Sequence, residues 1–193
     1  MKGLLNIIFL FQIALSNNTI LPQPLLFSKE AIEIKIYDGY TIVNGDYTFK
    51  NKSKNELTRA LFYPFPVNLS SSYPDSIFVF VQDNKAISFT RSSTGIHFSI
   101  KVLPDSETTI KVSYRQKLTS EEMKYILTST QSWKQPLEKA EYKILLTKKF
   151  ELTNLSLKPD KKDSNSTYNI YYITKENFMP ETDLIVKWAR RGK

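Results

Sequence analysis

The chain contains no cysteine, one histidine and only five glycines in 193 residues. Without thiols there is no disulfide, so stability has to come from buried apolar surface. A domain of this size hides roughly 70% of the surface its unfolded chain exposes, so staples are not required. Zinc and other metals that favour nitrogen or sulfur ligands draw on several Cys and His, which one imidazole cannot supply. Nucleophilic catalysis of the Ser-His type needs an orienting carboxylate and a nucleophile around the base. The alternation around His97 places that ring on the polar face of a strand, which reads as a surface position. Helical periodicity is missing as well: no stretch of about 12 residues holds a 3.6 period.

What the chain does have begins with a leader. Lys2 precedes an apolar run over residues 3–15, and Ala14 and Ser16 are the small residues expected three and one positions before a cleavage bond. Residues 1–16 therefore read as a signal peptide cut after Ser16. The run is shorter than the ~20 apolar residues of a spanning helix, and no later segment approaches that length. The expectation is a secreted or periplasmic protein with no transmembrane segment after cleavage. Residues 17–30 follow as an extended, Pro-containing lead-in, and residues 31–193 as one domain with a sub-boundary suggested near 118–137. Asn-x-Ser/Thr sequences at Asn17, Asn51, Asn68, Asn154 and Asn165 are glycan acceptors only in a eukaryotic host.

Period-two alternation dominates the rest. Ile32, Ile34 and Ile36 alternate with Glu33, Lys35 and Tyr37; Ile96, Phe98, Ile100 and Val102 with His97, Ser99 and Lys101; Ile110, Val112 and Tyr114 with Lys111, Ser113 and Arg115. One apolar face at period two marks a half-buried antiparallel strand. Further strands are expected over 40–50, 57–63, 76–82, 85–91, 139–147, 168–174 and 183–189. Reversals fall at Asp83-Asn84, Ser93-Thr94-Gly95 and Pro104-Asp105-Ser106. Asn44-Gly45 fits either a two-residue hairpin or a bulge in one long strand, and the bulge is favoured because alternation resumes through Tyr47 and Phe49. Thr119-Ser120-Glu121-Glu122 is the best helical start, good for a turn or two. Residues 158–167 read as an exposed loop. About ten short strands point to an all-β, antiparallel β-sandwich, immunoglobulin-like or a related Greek key, with a closed β-barrel as the alternative.

No convergent catalytic set emerges. Glu121-Glu122 are adjacent and cannot face one substrate from one strand, and Asp160, Asp163 and Asn165 lack the order of an EF-hand loop. The net charge is +8, but the cations are spread along polar faces except for Lys187, Arg190, Arg191 and Lys193 near the carboxyl end. Nucleic-acid recognition would call for stacking aromatics interleaved with that cluster in an intracellular context, and solvated faces with weak anion affinity are the expectation instead. The 12 Phe, 11 Tyr and 2 Trp mostly suit strand cores. Trp133, Tyr171, Arg190 and Arg191 are the binding candidates, with no cofactor and no metal expected. For Trp133, capping the core where a strand end turns a corner outweighs ligand contact.

Several runs together resemble one family. They are Val43-Asn44-Gly45-Asp46-Tyr47-Thr48-Phe49-Lys50-Asn51, Leu61-Phe62-Tyr63-Pro64-Phe65-Pro66 and Tyr114-Arg115-Gln116. To these add Tyr125-Ile126-Leu127-Thr128-Ser129-Thr130 with Trp133, Pro136-Leu137 before Tyr142, Phe178-Met179-Pro180 and Asp183-Leu184. The pattern is similar to the exported bacterial domain-of-unknown-function family 4424. That resemblance implies a secreted or periplasmic β-rich protein without an assigned activity, so it brings no functional residue with it. The expected role is an exported binding or structural module without catalysis, its partner a protein or polysaccharide, with anionic polymers among the candidates. The alternatives are a carbohydrate-active enzyme using paired carboxylates, or an open-mouthed barrel carrying an apolar ligand.

Overall fold

The computed structural model describes residues 24–81 and 85–192; the leader, its cut after Ser16 and Asn17 lie outside them. The chain runs β1 (Leu25–Tyr37), β2 (Tyr40–Asn51), β3 (Leu57–Pro64), β4 (Ser76–Val81), β5 (Lys85–Ala86), β6 (Thr90–Arg91) and β7 (Gly95–Val102). It continues through β8 (Ser106–Lys117), β9 (Glu122–Tyr125), a 3-10 helix (Thr128–Trp133), β10 (Leu137–Thr147) and β11 (Phe150–Leu155). It ends in β12 (Lys161–Ser164), β13 (Tyr168–Phe178) and β14 (Leu184–Arg190). These strands form one eight-stranded sheet, in the order β12-β13-β10-β1-β2-β8-β4-β5, and two three-stranded sheets, β11-β14-β9 and β3-β7-β6. The protein is all-β in several sheets, and none of them closes into a barrel.

Alternation explains the large sheet. Ile32, Ile34 and Ile36 of β1, Val43, Tyr47 and Phe49 of β2, Ile110, Val112 and Tyr114 of β8, and Tyr142, Ile144 and Leu146 of β10 are all buried. They join Ile96, Ile100 and Val102 of β7 and Leu184, Val186 and Trp188 of β14 in one continuous core. A bulge in β1 between Phe27 and Lys29 changes the phase of that strand. Before it Leu25 and Phe27 point into the core; after it Glu30, Ile32, Ile34 and Ile36 do.

Several expectations need correction. Residues 17–23 of the expected lead-in lie outside the described residues; β1 begins at Leu25, and Leu25 to Ser28 are buried. The sheet is not wholly antiparallel, because β1 and β10 pair in parallel, Ile32 opposite Tyr142. Alternation alone cannot report strand direction. Residues 85–91 split into β5 and β6, and the loop expected over 158–167 contains the fully exposed edge strand β12. Thr119-Ser120-Glu121-Glu122 leads into β9 rather than a helix; the only helical turn among the described residues is Thr128–Trp133. Asn51 cannot accept a glycan in the folded state, since its buried amide donates to the carbonyls of Asn55, Val102 and Leu103 at 2.8, 3.0 and 3.0 Å.

Asn44-Gly45 is neither a hairpin nor a bulge. Both residues sit mid-strand, with Gly45 in register opposite Ile32 and Val112. The hairpin is instead Asp38-Gly39, where Gly39 takes φ 78°. Gly45 answers a different demand: the Tyr47 ring lies over it, and a Cβ there would overlap the ring and its hydroxyl. Gly45→Ala is therefore expected to destabilise the protein by about 1–3 kcal/mol through overpacking, measured by chemical denaturation. A surface-strand glycine would instead gain from the same change, so an unchanged or improved stability contradicts this packing.

Candidate functional site

The ring that Gly45 admits ends in a three-phenol junction. The Tyr47 hydroxyl lies 2.7 Å from that of Tyr63 on β3 and 2.7 Å from that of Tyr125 on β9. A phenol donates once and accepts through its lone pairs, so Tyr47 satisfies both neighbours at once. It thereby ties the large sheet to both small ones. Burial pushes the phenols of Tyr47, Tyr63 and Tyr125 well above their ordinary range, so all three are neutral.

β3 and β9 are each an end strand of their sheet, and between them a cleft of about 660 Å³ opens. Its floor is Phe27 and Glu30 of β1, Tyr47 and Phe49 of β2, and Ile110 and Val112 of β8. One wall is residues 59–64 of β3 with Phe98 of β7. The other is Tyr125, Ile126 and the 3-10 helix as far as Trp133. Trp133 packs on Phe49 at 5.5 Å and on Phe27 at 6.0 Å between ring centres, and those two rings stack on each other at 5.2 Å. The exposed Arg59 stands on the β3 wall.

The helical wall is held from a distance in sequence. Asp183, just before β14, accepts hydrogen bonds through Oδ1 from the backbone N–H groups of Leu127 and Thr128, both 3.1 Å, and from the Thr128 hydroxyl, 2.8 Å. Its Oδ2 pairs with Lys124 at 3.2 Å. Partial burial would raise this carboxyl, but the Thr128 and Lys124 contacts outweigh it and hold the group below its usual value. The left-handed Lys134, φ 56°, then ends the turn.

Glu30 is the one acid among the described residues lining the cleft, and only 5% of it is exposed. Tyr142, two positions beyond the residue that Glu30 faces on β10, donates its phenol to Glu30 Oε1. No lysine or arginine among the described residues pairs with Glu30, and no hydrogen bond reaches its Oε2 there. Desolvation pushes the carboxyl up to about 7 despite the Tyr142 bond, while burial and the facing Glu30 raise the Tyr142 phenol.

Of the binding candidates singled out from sequence, only Trp133 lies in the cleft, where it packs on core rings and lines the opening. Tyr171 is half-buried against the core through β13. Arg190 forms a two-pronged pair with Asp38 and lies over the Phe150 ring at 5.7 Å. The exposed Arg191 is held by its backbone N–H donating to Lys149. Lys187 pairs with Glu122 at 2.7 Å, so Lys187 and Arg190 of the carboxyl-terminal cluster are matched within the fold. His97 is exposed and packs tilted against Phe62, 4.7 Å between ring centres. Glu30 escaped the sequence reading although it continues the Ile32, Ile34, Ile36 phase by one further step. An acid in phase with an apolar face is the signal that finds it.

Two measurements check this geometry. The folded protein holds the Glu30 proton more tightly than the unfolded chain, so that stabilisation is whole below pH 4.5 and is lost as pH rises through about 7. Relative to Glu30→Gln, the native protein should lose about 3 kcal/mol between pH 4.5 and 8, a tenfold change in proton affinity being worth about 1.4 kcal/mol. Denaturation curves for the two proteins that stay parallel over that window contradict it. Asp183→Ala leaves two buried-side N–H groups unmatched and should cost about 1–3 kcal/mol, with the Trp133 indole signal shifted in the NMR spectrum. An unmoved indole signal would mean that Asp183 does not position that wall.

Comparisons with known proteins bear on this fold. A structure from Legionella pneumophila, described as a "putative nutrient binding protein", aligns with a TM-score of 0.71 at 16% identity, over 86% of this chain and 67% of that one. An M1 zinc metallopeptidase of Deinococcus radiodurans aligns with a TM-score of 0.52 at 8% identity, over 86% of this chain but only 42% of that one. At such identities the likeness is one of fold. No curated protein matches the sequence. Residues 105–186 match the family model described as Domain of unknown function (DUF4424). The match takes in Tyr125, Trp133, Tyr142 and Asp183, while the runs at Val43 and Leu61 that contributed to the resemblance lie before it. Over residues 105–186 the chain is similar to the DUF4424 family, a domain of unknown function, which supports the resemblance read from its sequence.

Proposed function

We propose that this protein is a secreted or periplasmic β-sandwich module that binds a small organic molecule in the cleft between β3 and β9, without catalysing a reaction on it. The observation that carries the reading is the cleft itself: about 660 Å³, within the roughly 300–1,000 Å³ of small-molecule sites, mostly apolar, with a few placed polar groups. Trp133, Phe27, Phe49 and Phe98 offer ring faces and edges, and the hydroxyl junction and the Asp183 contacts hold the walls in place without a ligand. Such pre-organisation lowers the cost of binding. The Legionella pneumophila neighbour, described as binding a nutrient, agrees with a binding role.

Hydrolysis by paired carboxylates is disfavoured by the same lining. Glycoside hydrolysis of that kind takes two acids flanking the bond, about 5 to 9.5 Å apart, and Glu30 stands alone among the described lining residues. The carrier reading survives in altered form: the ligand sits between sheets instead of inside a barrel. A role for Tyr171, Arg190 and Arg191 at this site is dropped, because other elements hold them outside the cleft.

The test uses N-phenyl-1-naphthylamine, an uncharged probe that fluoresces in apolar surroundings. The protein should bind it saturably at one molecule per chain. Ala60→Trp, which places a bulky ring on the β3 wall from an exposed position, should weaken that binding at least tenfold while leaving the circular dichroism spectrum unchanged. Absence of saturable binding, or equal binding by Ala60→Trp, counts against the proposal.

A further inference from the structure

We propose that Glu30 is the anionic subsite of this cleft and that the molecule it receives carries a protonated amine on an aromatic or aliphatic body. The inference rests on the cleft being a ligand site and names the chemistry of its occupant. Three observations lead to it. First, a carboxyl side chain 95% withdrawn from solvent lines the cleft floor, which is 5% exposure by area. Burying an acid is costly unless a partner compensates it. Here one neutral phenol, that of Tyr142, meets Oε1, and nothing among the described residues meets Oε2. The fold leaves half of this group's hydrogen-bonding capacity open beside the cleft.

Second, the missing partner is one of positive charge. The groups around Glu30 are Tyr47 on β2, Tyr63 on β3, Tyr125 on β9 and Tyr142 on β10, all neutral phenols, with Arg59 on the β3 wall exposed to solvent. A cation arriving from solution would meet no competing positive charge on the floor. It would also complete a charge-assisted hydrogen bond, the stronger kind. Third, the walls suit the rest of such a molecule. The faces and edges of Trp133, Phe27 and Phe49 lie on the same cleft, and aromatic faces attract cations as well as apolar bodies. Where Glu30 is ionised a carboxylate ligand is disfavoured by the same arrangement, since it would set two anions together in a desolvated space.

Binding carries a proton balance. Where Glu30 is protonated, an ammonium group takes the place of that proton, which leaves to the buffer. The amine keeps its own proton; the Glu30 O–H bond breaks, the buffer base takes up that proton, and no other covalent bond changes.

Calorimetry with three compounds that share a phenylethyl body tests this: 2-phenylethylamine, 2-phenylethanol and 3-phenylpropionate, at pH 8 where Glu30 is mostly ionised. The amine should bind at least tenfold more tightly than the alcohol, and the acid more weakly than either. Glu30→Gln, which retains the acceptor for Tyr142, should erase the preference for the amine over the alcohol. A readout that needs no variant comes from repeating the amine titration at pH 6.5 in phosphate and in Tris. The apparent enthalpies should differ by proton release, whereas those for the alcohol should coincide. Amine and alcohol binding equally, a preference that survives in Glu30→Gln, or no proton release each overturns the inference while the cleft proposal stands on its uncharged ligands. If neither these compounds nor N-phenyl-1-naphthylamine binds, both proposals fall.

Discussion

The architecture turns on one shared hydroxyl. Tyr47 reaches over Gly45 from the middle of the large sheet and holds Tyr63 and Tyr125, one from each small sheet, at 2.7 Å. A net contribution of about 0.5–1.5 kcal/mol per hydrogen bond understates its importance. Removing a buried partner leaves the others unsatisfied, which costs about 1–3 kcal/mol for each group. Three sheets that share one core thereby meet at one polar point within that core, and the buried Asn51 amide of β2 adds a second link, to the Val102 carbonyl of β7. A purely apolar contact would tolerate sliding; a two-way hydroxyl contact specifies position.

The cleft follows from where that point lies. β3 and β9 are end strands, and an unpaired strand edge invites association with other chains. Here the two edges flank the cleft instead of lying open on a flat surface, while the outer edge of the large sheet ends in the short, charged strand β12. The β1 bulge is the second determinant. It turns Phe27 and Glu30 toward the same side although they are three residues apart, and so places a ring and a carboxyl together on the floor. The segment that matches the family model supplies Tyr125, Trp133, Tyr142 and Asp183. Glu30, Gly45, Tyr47 and Tyr63 come from the preceding strands, and neither half of the chain builds the site alone.

Strand existence was legible because the residues obey a local rule. Ile32, Ile34, Ile36 and Ile110, Val112, Tyr114 declare a buried face whatever their partners are, and all six are buried. Partnership was not legible. Whether β1 meets β10 in parallel depends on contacts over a hundred residues apart, and period two is the same in either direction. The two candidate turns were separated by tertiary packing: Asp38-Gly39 reverses the chain, whereas Gly45 makes room for a ring. The 3-10 turn before Trp133 was invisible for a similar reason. Its first N–H groups are met by Asp183, more than fifty residues later, and not by a capping residue next to it. At the site, Trp133 is legible because the run from Thr128 to Pro136 reads as a strand end turning a corner with a large ring on it. Glu30 was passed over because one acid among isoleucines does not register as a motif. Tyr171, Arg190 and Arg191 were suggested by exposure and charge, which say nothing about which strand end faces a cavity.

The most direct test of the Tyr47 junction is a double-mutant cycle on stability, pairing Tyr47→Phe with Tyr125→Phe and, separately, with Tyr63→Phe. Each phenylalanine keeps the ring and removes only the hydroxyl. A shared junction predicts coupling of about 0.5–3 kcal/mol in both cycles, the range for groups in one hydrogen-bond network. Strictly additive losses in both would show that the hydroxyls do not join the sheets, and the account built on them would fail.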